Sequence, residues 1–351
     1  MNLDNYENFT KLDPHNMLAH IDGLPTQIQT AWQYGSNLEL PEWQDIQQVV
    51  IAGMGGSAIG ADLLVAYIQS ACLTPVFVHR DYDLPAWAYG AQTLVIVSSH
   101  SGNTEETVSI FNQARANGCL TLTITTNGKL EELSKRHGLP LWKFDYKSQP
   151  RAAVGYSFSL LLAALTRLGL IPDPSEEVLS AVETMRAEQA HIKADIPVVK
   201  NPAKRLAGQL IDRWVTVIGA DILAPVARRW KTQINEIAKA WAQFEFLPEA
   251  DHNSLAGSQN PQDMFSHLMV LFLQAPSNHP RNQLRSQLTS KAFMLQGMGT
   301  DTFYAKGNTP LAHMWSTLHF GDYLAYYLAM AYEVDPTPVD AIESLKLEMK
   351  N

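Results

Sequence analysis

Short apolar runs alternate with amphipathic stretches along most of this chain. Val49-Val50-Ile51-Ala52 is wholly apolar and ends at a glycine, the pattern of a strand buried on both faces. Further strand-like runs stand at 75–78, 93–97, 120–124 and 141–144. Helical periodicity fills 58–71 and 104–117, and a short helix is expected after Asn127. Strands that alternate with helices predict a parallel sheet covered on both faces. Residues 152–200 read as helical, with Pro174-Ser175-Glu176-Glu177 opening a connecting helix. The alternation then returns. Strands are expected at 214–219, 265–273 and 302–304, and helices at 224–243, 281–296 and 313–332. Residues 1–47 form a polar-faced helical preamble in which Pro25 opens a helix. The pattern predicts an α/β protein with domains at 46–150 and 201–335. Helical segments at 1–45, 151–200 and 336–351 complete it. The second half repeats the pattern of the first without a residue-level repeat.

Composition narrows the function classes. The length of 351 residues suits two domains at roughly 150 residues each. Lys and Arg number 26 against 35 Asp and Glu, a net charge of −9. No cationic excess is available to displace the counterions of a nucleic acid, so nucleic acid is not an expected partner. An anionic small molecule stays possible, because a local site can be positive in an acidic protein. The two cysteines, Cys72 and Cys119, build no disulfide framework and suit a reducing cytoplasm. Met1–Asn5 carries no basic, apolar leader pattern, and the most apolar stretch, 157–170, contains Arg167 and is too short to span a bilayer. A cytoplasmic protein with no membrane partner is expected.

Two loops carry the candidate chemistry. Gly53-Met54-Gly55-Gly56-Ser57-Ala58 follows the first strand and opens a helix, so its backbone N–H groups can approach an anion. Gly53-x-Gly55-x-x-Ala58 also satisfies a dinucleotide fingerprint, with Asp81 as a ribose ligand. Alternatively, Ser57 adds a hydroxyl and the loop holds a sugar or a single phosphate, or the turn binds nothing. The second loop, Ser98-Ser99-His100-Ser101-Gly102-Asn103-Thr104, places Ser99, Ser101 and Thr104 around a glycine at a helix N-terminus. This is a phosphate cradle of neutral donors, or else a plain N-cap. A Walker loop would need Gly-Lys-Ser/Thr, which is missing here.

Glu236, in Ile234-Asn235-Glu236-Ile237-Ala238, is a candidate general base, since apolar neighbours would raise a carboxylate's pKa. It could equally pair with Lys231 or Lys239 on the helix surface. Arg151 precedes a helix and could screen a developing negative charge. His252 lies in a loop between carboxylates and could be merely solvated. Lys346 stands on an amphipathic last helix, where a cation favours the helix C-terminus. His313 and His319 are wrongly spaced for a shared metal, and His267 reads as a core histidine. Trp315, Phe320, Tyr323, Tyr326 and Tyr327 read as core or interface.

Gly53–Ser57 together with Ser99–Thr104 resembles the sugar isomerase (SIS) domain. The resemblance is closest to the bifunctional phosphoglucose/phosphomannose isomerases and runs from about residue 45 to 347. Pro150-Arg151, Asn235-Glu236, Pro248-Glu249-x-x-His252-Asn253, Asp335-Pro-Thr-Pro and Lys346 match it in order. It implies two SIS domains of flavodoxin-like α/β topology and a homodimer with shared active sites. It also implies isomerisation of a sugar phosphate through an enediolate, with no metal or cofactor. In that scheme Gly55, Gly56, Ser57, Ser99, Ser101 and Thr104 bind substrate, and Glu236 is the base. His252 comes from the neighbouring subunit to open the ring. Lys346 assists ring opening, and Arg151 faces the enediolate. Thr337 is the candidate threonine that makes room for both C2 epimers. His100 replaces an expected tyrosine, with consequences for the shape and pH response of the phosphate site. A sensor that binds sugar phosphate without catalysis, and a nicotinamide-dependent oxidoreductase, are the alternatives.

Overall fold

A computed structural model describes residues 2–349. The chain runs through α1 (Phe9–Leu12), α2 (Met17–Asp22), α3 (Leu24–Gly35), β1 (Gln48–Ala52), α4 (Gly55–Ile68), β2 (Val76–His79) and β3 (Thr93–Ser99). It continues with α5 (Glu105–Ala116), β4 (Leu120–Thr125), α6 (Lys129–His137), β5 (Leu141–Lys143), α7 (Val154–Arg167), α8 (Ser175–Ile192) and α9 (Pro202–Leu210). Last come β6 (Trp214–Ala220), α10 (Ala224–Glu236), β7 (Ala242–Leu247), β8 (Leu268–Gln274), α11 (Pro280–Leu295), β9 (Gly299–Tyr304), α12 (Pro310–Ala331) and α13 (Asp340–Glu348). These elements form two compact bodies. The first holds residues 23–183 and 309–312; the second holds 1–22, 184–308 and 313–351.

The first body is built on a five-stranded sheet in the order β2-β1-β3-β4-β5, every pair parallel. This is the doubly wound order in which the chain reverses direction between β1 and β3. All seven residues of β3 are buried, as a central parallel strand requires. Val50, Ala52, Val95 and Val97 pack one face against Ile110 and Phe111 of α5. Gln48 in β1 pairs with Thr93 in β3 and Ala52 with Val97, so the turns after these two strands leave the sheet side by side.

The second body repeats the arrangement with four parallel strands in the order β7-β6-β8-β9. Phe272 of β8 faces Phe293 of α11, while Phe303 of β9 faces Trp230 of α10 and Phe320 of α12. Helices therefore cover both faces. The aromatic stripe of α12 is core, as expected. Its three tyrosines are buried with their hydroxyls bonded, Tyr323 to Asp22, Tyr326 to Asp13 and Tyr327 to the Ile192 carbonyl. Among the described residues no helix is long and apolar enough to cross a membrane.

Two element expectations are corrected. The helix expected to reach Gln243 ends at Glu236, and the omitted strand β7 begins at Ala242. The break has no glycine or proline to signal it, because Lys239 itself takes the left-handed conformation at φ 54°. The alternation Gln243-Phe244-Glu245-Phe246 was the available strand signal. The strand expected from Phe265 begins at Leu268, and residues 262–267 form a 3-10 turn on which His267 is exposed, not core.

One buried cation ties the second body together. Lys204 of α9 is 1% exposed, and its Nζ donates to the carbonyls of Leu3 (2.8 Å), Ala194 (2.7 Å) and Ile196 (2.9 Å). The rings of Phe9 and Tyr327 stand 5.7 and 5.5 Å from that nitrogen. Burial holds its pKa below the usual lysine range. Lys204→Met keeps the stem but leaves three carbonyls without their donor. It is expected to cost about 2–4 kcal/mol in urea unfolding, and a loss below about 0.5 kcal/mol would contradict this role.

Candidate active site

The expected phosphate loops meet in the first body. α4 opens at Gly55, so the amides of Gly55 and Gly56 are the first of the helix, which a helix leaves without internal acceptors. Ser57, 4% exposed, accepts a hydrogen bond at Oγ from the backbone N–H of His100 at 3.3 Å. That bond joins the turn after β1 to the turn after β3. Gly56 lies against a third segment, the 3-10 turn Pro150–Ala153; a Cβ at Gly56 would overlap the Pro150 carbonyl. Arg151, 4% exposed, belongs to that turn. Gly55, Gly56, Ser57, Ser99, Ser101, Thr104 and Arg151 are thus brought together.

The second loop is not a plain N-cap. Thr104 occupies the N-cap position of α5 with extended backbone, yet its hydroxyl makes no capping bond. Its Oγ1 instead lies 3.1 Å from Oγ of Ser99. The positive end of α5 therefore carries a pair of hydroxyls bonded to one another. Ser101 is exposed, and its Oγ accepts the N–H of Asn103 at 3.3 Å. Gly102 takes φ 65° with no room for a Cβ, because the Asn127 carbonyl occupies that space. Leu130 N–H donates to the Gly102 carbonyl, and Thr126 Oγ1 donates to that of His100 at 2.6 Å, so the turn after β4 braces the loop.

His100 does not point into the cradle. Its ring Nε2 bonds the Tyr146 carbonyl at 3.0 Å, and its edge meets Phe144. Burial lowers its pKa, and a carbonyl partner requires the Nε2–H to be the donor. The contact with Ser57 is made by the backbone of His100, while its imidazole faces Tyr146 and Phe144. Sequence reading also missed Gln27 of α3. Gln27 is 4% exposed, and its Nε2 donates to the Tyr146 hydroxyl (2.7 Å) and the Ala152 carbonyl (2.8 Å). It braces the turn that holds Arg151 and the segment that holds His100. An amide on a predicted helix gives no signal of such a role.

The remaining candidates stand on separate elements of the second body. Glu236 is the last residue of α10 and is half-buried. Ile237 and Ala238 beside it are buried, but Trp241 is 67% exposed, so the expected apolar surround is only partial. Lys239 Nζ donates to the Glu236 carbonyl at 2.7 Å, closing the helix end. His252 is exposed on the turn Glu249–His252. The carboxylates that flank it in sequence are engaged elsewhere. Asp251 accepts from Arg285 (2.9 Å) and Thr289 (2.7 Å), and Glu249 accepts from Asn253 (3.0 Å). Arg285 and Thr289, missed by sequence reading, fix this turn to α11. Lys346 is exposed on α13, a helix with no buried residue. Thr337 is 9% exposed, and its N–H donates to Asp335 at 2.8 Å.

No group of three or more His, Cys, Asp or Glu is placed to hold a metal ion among the described residues. His313 bonds Ser277 and the Gly307 carbonyl, while His319 bonds the Ile21 carbonyl and is lowered to about 4 by burial. Asp81, the ribose ligand of the dinucleotide reading, accepts the N–H of its neighbour Tyr82 at 2.8 Å.

Residues 199–349 match the profile of the bacterial phospho-glucose isomerase C-terminal SIS domain. A bifunctional phosphoglucose/phosphomannose isomerase of Caldicellulosiruptor bescii is 39% identical over 94% of this chain and 98% of its own. One of Aquifex aeolicus is 32% identical over 88% and 94%. The fold is similar to that of tagatose-6-phosphate ketose/aldose isomerase from Escherichia coli. That structure has a TM-score of 0.69 at 14% identity, with 91% of this chain and 94% of that one covered. With a relative this similar over nearly its whole length, the chain belongs to the bifunctional phosphoglucose/phosphomannose isomerase family.

Proposed function

We propose that this chain interconverts glucose 6-phosphate or mannose 6-phosphate with fructose 6-phosphate, without a metal. The observation that carries the reading is the Ser99–Thr104 hydroxyl pair at the start of α5, left uncommitted by helix capping and set beside Ser57, Gly56 and Arg151. Neutral hydroxyls and helix amides suit a phosphate in a chain whose net charge is −9. In this reading Gly55, Gly56, Ser57, Ser99, Ser101 and Thr104 hold the phosphate.

Glu236 then takes the proton from C2 of the open-chain aldose and returns it to C1. The C1 carbonyl becomes an alcohol and the C2 alcohol a carbonyl. The enediolate between them has no stereocentre at C2, so both epimers pass through one intermediate, with Thr337 leaving room for either. Arg151 balances the enediolate's negative charge. His252, supplied by the partner in a homodimer, and Lys346 open the sugar ring. The free thiols Cys72 and Cys119 suit a cytoplasmic setting.

Two substitutions test these assignments. Glu236→Gln should lower kcat by about 100- to 10,000-fold, the usual worth of a general base, while affinity for a sugar phosphate stays within about twofold. Retention of more than half the wild-type rate would remove Glu236 from the mechanism. Gln27→Leu tests the brace behind Arg151. It should lower kcat roughly tenfold with little change in KM, since Arg151 is assigned to the intermediate and the cradle hydroxyls to the phosphate. A rise in KM alone would show that Gln27 supports binding and not the charged intermediate.

A further inference from the structure

The second body holds a cleft that the proposed reaction does not use. It has a volume of about 280 Å³ and lies between α9 and the edge strand β9. One face of α9 lines it through Pro202, Arg205, Leu206 and Gln209, at helical spacings of three and four. The opposite wall is the end of β9, residues 301–304. Aromatic rings form the floor. Phe303 and Phe320 stand 4.3 Å apart, and Trp230 stacks on Phe320 at 5.9 Å.

The polar groups are sorted by depth. Arg205 and Lys306 are exposed at the mouth together with one acid, Asp301. One arm of Arg205 donates to the Val199 carbonyl at 2.8 Å. Deeper, Glu188 contributes a carboxyl whose Oε2 is buried and has no hydrogen-bond partner among the described residues. Burial pushes that carboxyl up to about 8, with the charge of Lys306 opposing the rise. A largely protonated acid can donate a hydrogen bond, so the cleft carries more positive than negative charge at neutral pH. A buried carboxyl oxygen without a partner is costly, and a ligand that accepts its proton would remove the cost.

We propose that this cleft is a second, non-catalytic site for a phosphate monoester of a small ring-bearing molecule. The phosphate meets Arg205 and Lys306, the ring lies on the Phe303–Phe320 floor, and a ring oxygen or nitrogen accepts from Glu188. The volume is near the lower end for ligand sites, about 300 Å³, which restricts the occupant to roughly the size of one sugar phosphate or one mononucleotide. A hexose phosphate and a nucleoside monophosphate share this chemistry.

Calorimetric titration of the full chain separates the two sources, with glucose 6-phosphate in one arm and AMP in the other. Each arm is repeated on the double variant Arg205→Ala/Lys306→Ala. The expected result is binding by at least one probe that the double variant weakens tenfold or more, about 1.4 kcal/mol, while the isomerase rate stays within about twofold. Glucose 6-phosphate would show this as a second equivalent per chain, and AMP as a first. Glu188→Leu, which removes the donor, should weaken the same binding. The proposal is overturned if glucose 6-phosphate binds no more than one equivalent per chain and AMP binds none at about 5 mM, a level at which even a millimolar site is mostly filled. It is also overturned if the extra binding is indifferent to both variants. Both readouts are independent of Glu236 chemistry, so a failed isomerase assignment would leave this test intact.

Discussion

The candidate site in the first body depends on four turns being locked together mostly through backbone atoms. Ser57 accepts the His100 N–H, Gly56 leaves the Pro150 carbonyl the space that a Cβ would fill, and Gly102 does the same for the Asn127 carbonyl. Topology makes this lock possible. β1 and β3 are neighbours although β2 intervenes in sequence, so the turns that follow them diverge from one crevice at the carboxyl end of the sheet. The helices α4 and α5 start there, and their amide ends favour an anion without a lysine. In the function proposed above, an acidic protein holds a phosphate in a neutral cradle, with the buried Arg151 on the adjoining turn.

The second body shows what happens when the same topology is filled from within. Its crevice lies between β6 and β8, and the turn after β6 begins at Asp221, held at φ 50°. The Asp221 carboxylate accepts the His279 N–H at 2.9 Å and the Asn282 side chain at 2.8 Å, at the start of α11. Asn278 closes the remaining gap by donating to the Ala220 carbonyl at 2.9 Å. A carboxylate thus occupies the position at the helix end that an external anion would take. One chain carries two similar parallel sheets, and the turns after their central strands are filled differently.

Much of this was legible in the sequence. The apolar runs gave the central strands because parallel strands are buried on both faces, and the glycine-hydroxyl clusters marked the turns that follow β1 and β3. The edge strand β7 was missed because its polar-apolar alternation follows a helix that stops at a left-handed lysine instead of a glycine. Gln27, Arg285 and Thr289 escaped because their partners lie far off in sequence. The direction of the His100 ring was not legible either, because it follows from the packing of Phe144 and Tyr146, which spacing does not encode.

In the proposed function one cradle and one base act on both C2 epimers. The most direct test offers the purified chain fructose 6-phosphate in the presence of EDTA and follows both aldose phosphates by NMR. The expected result is that glucose 6-phosphate and mannose 6-phosphate both accumulate, and that deuterium from solvent enters C2 of each. A folded protein that binds fructose 6-phosphate and forms neither product would contradict it.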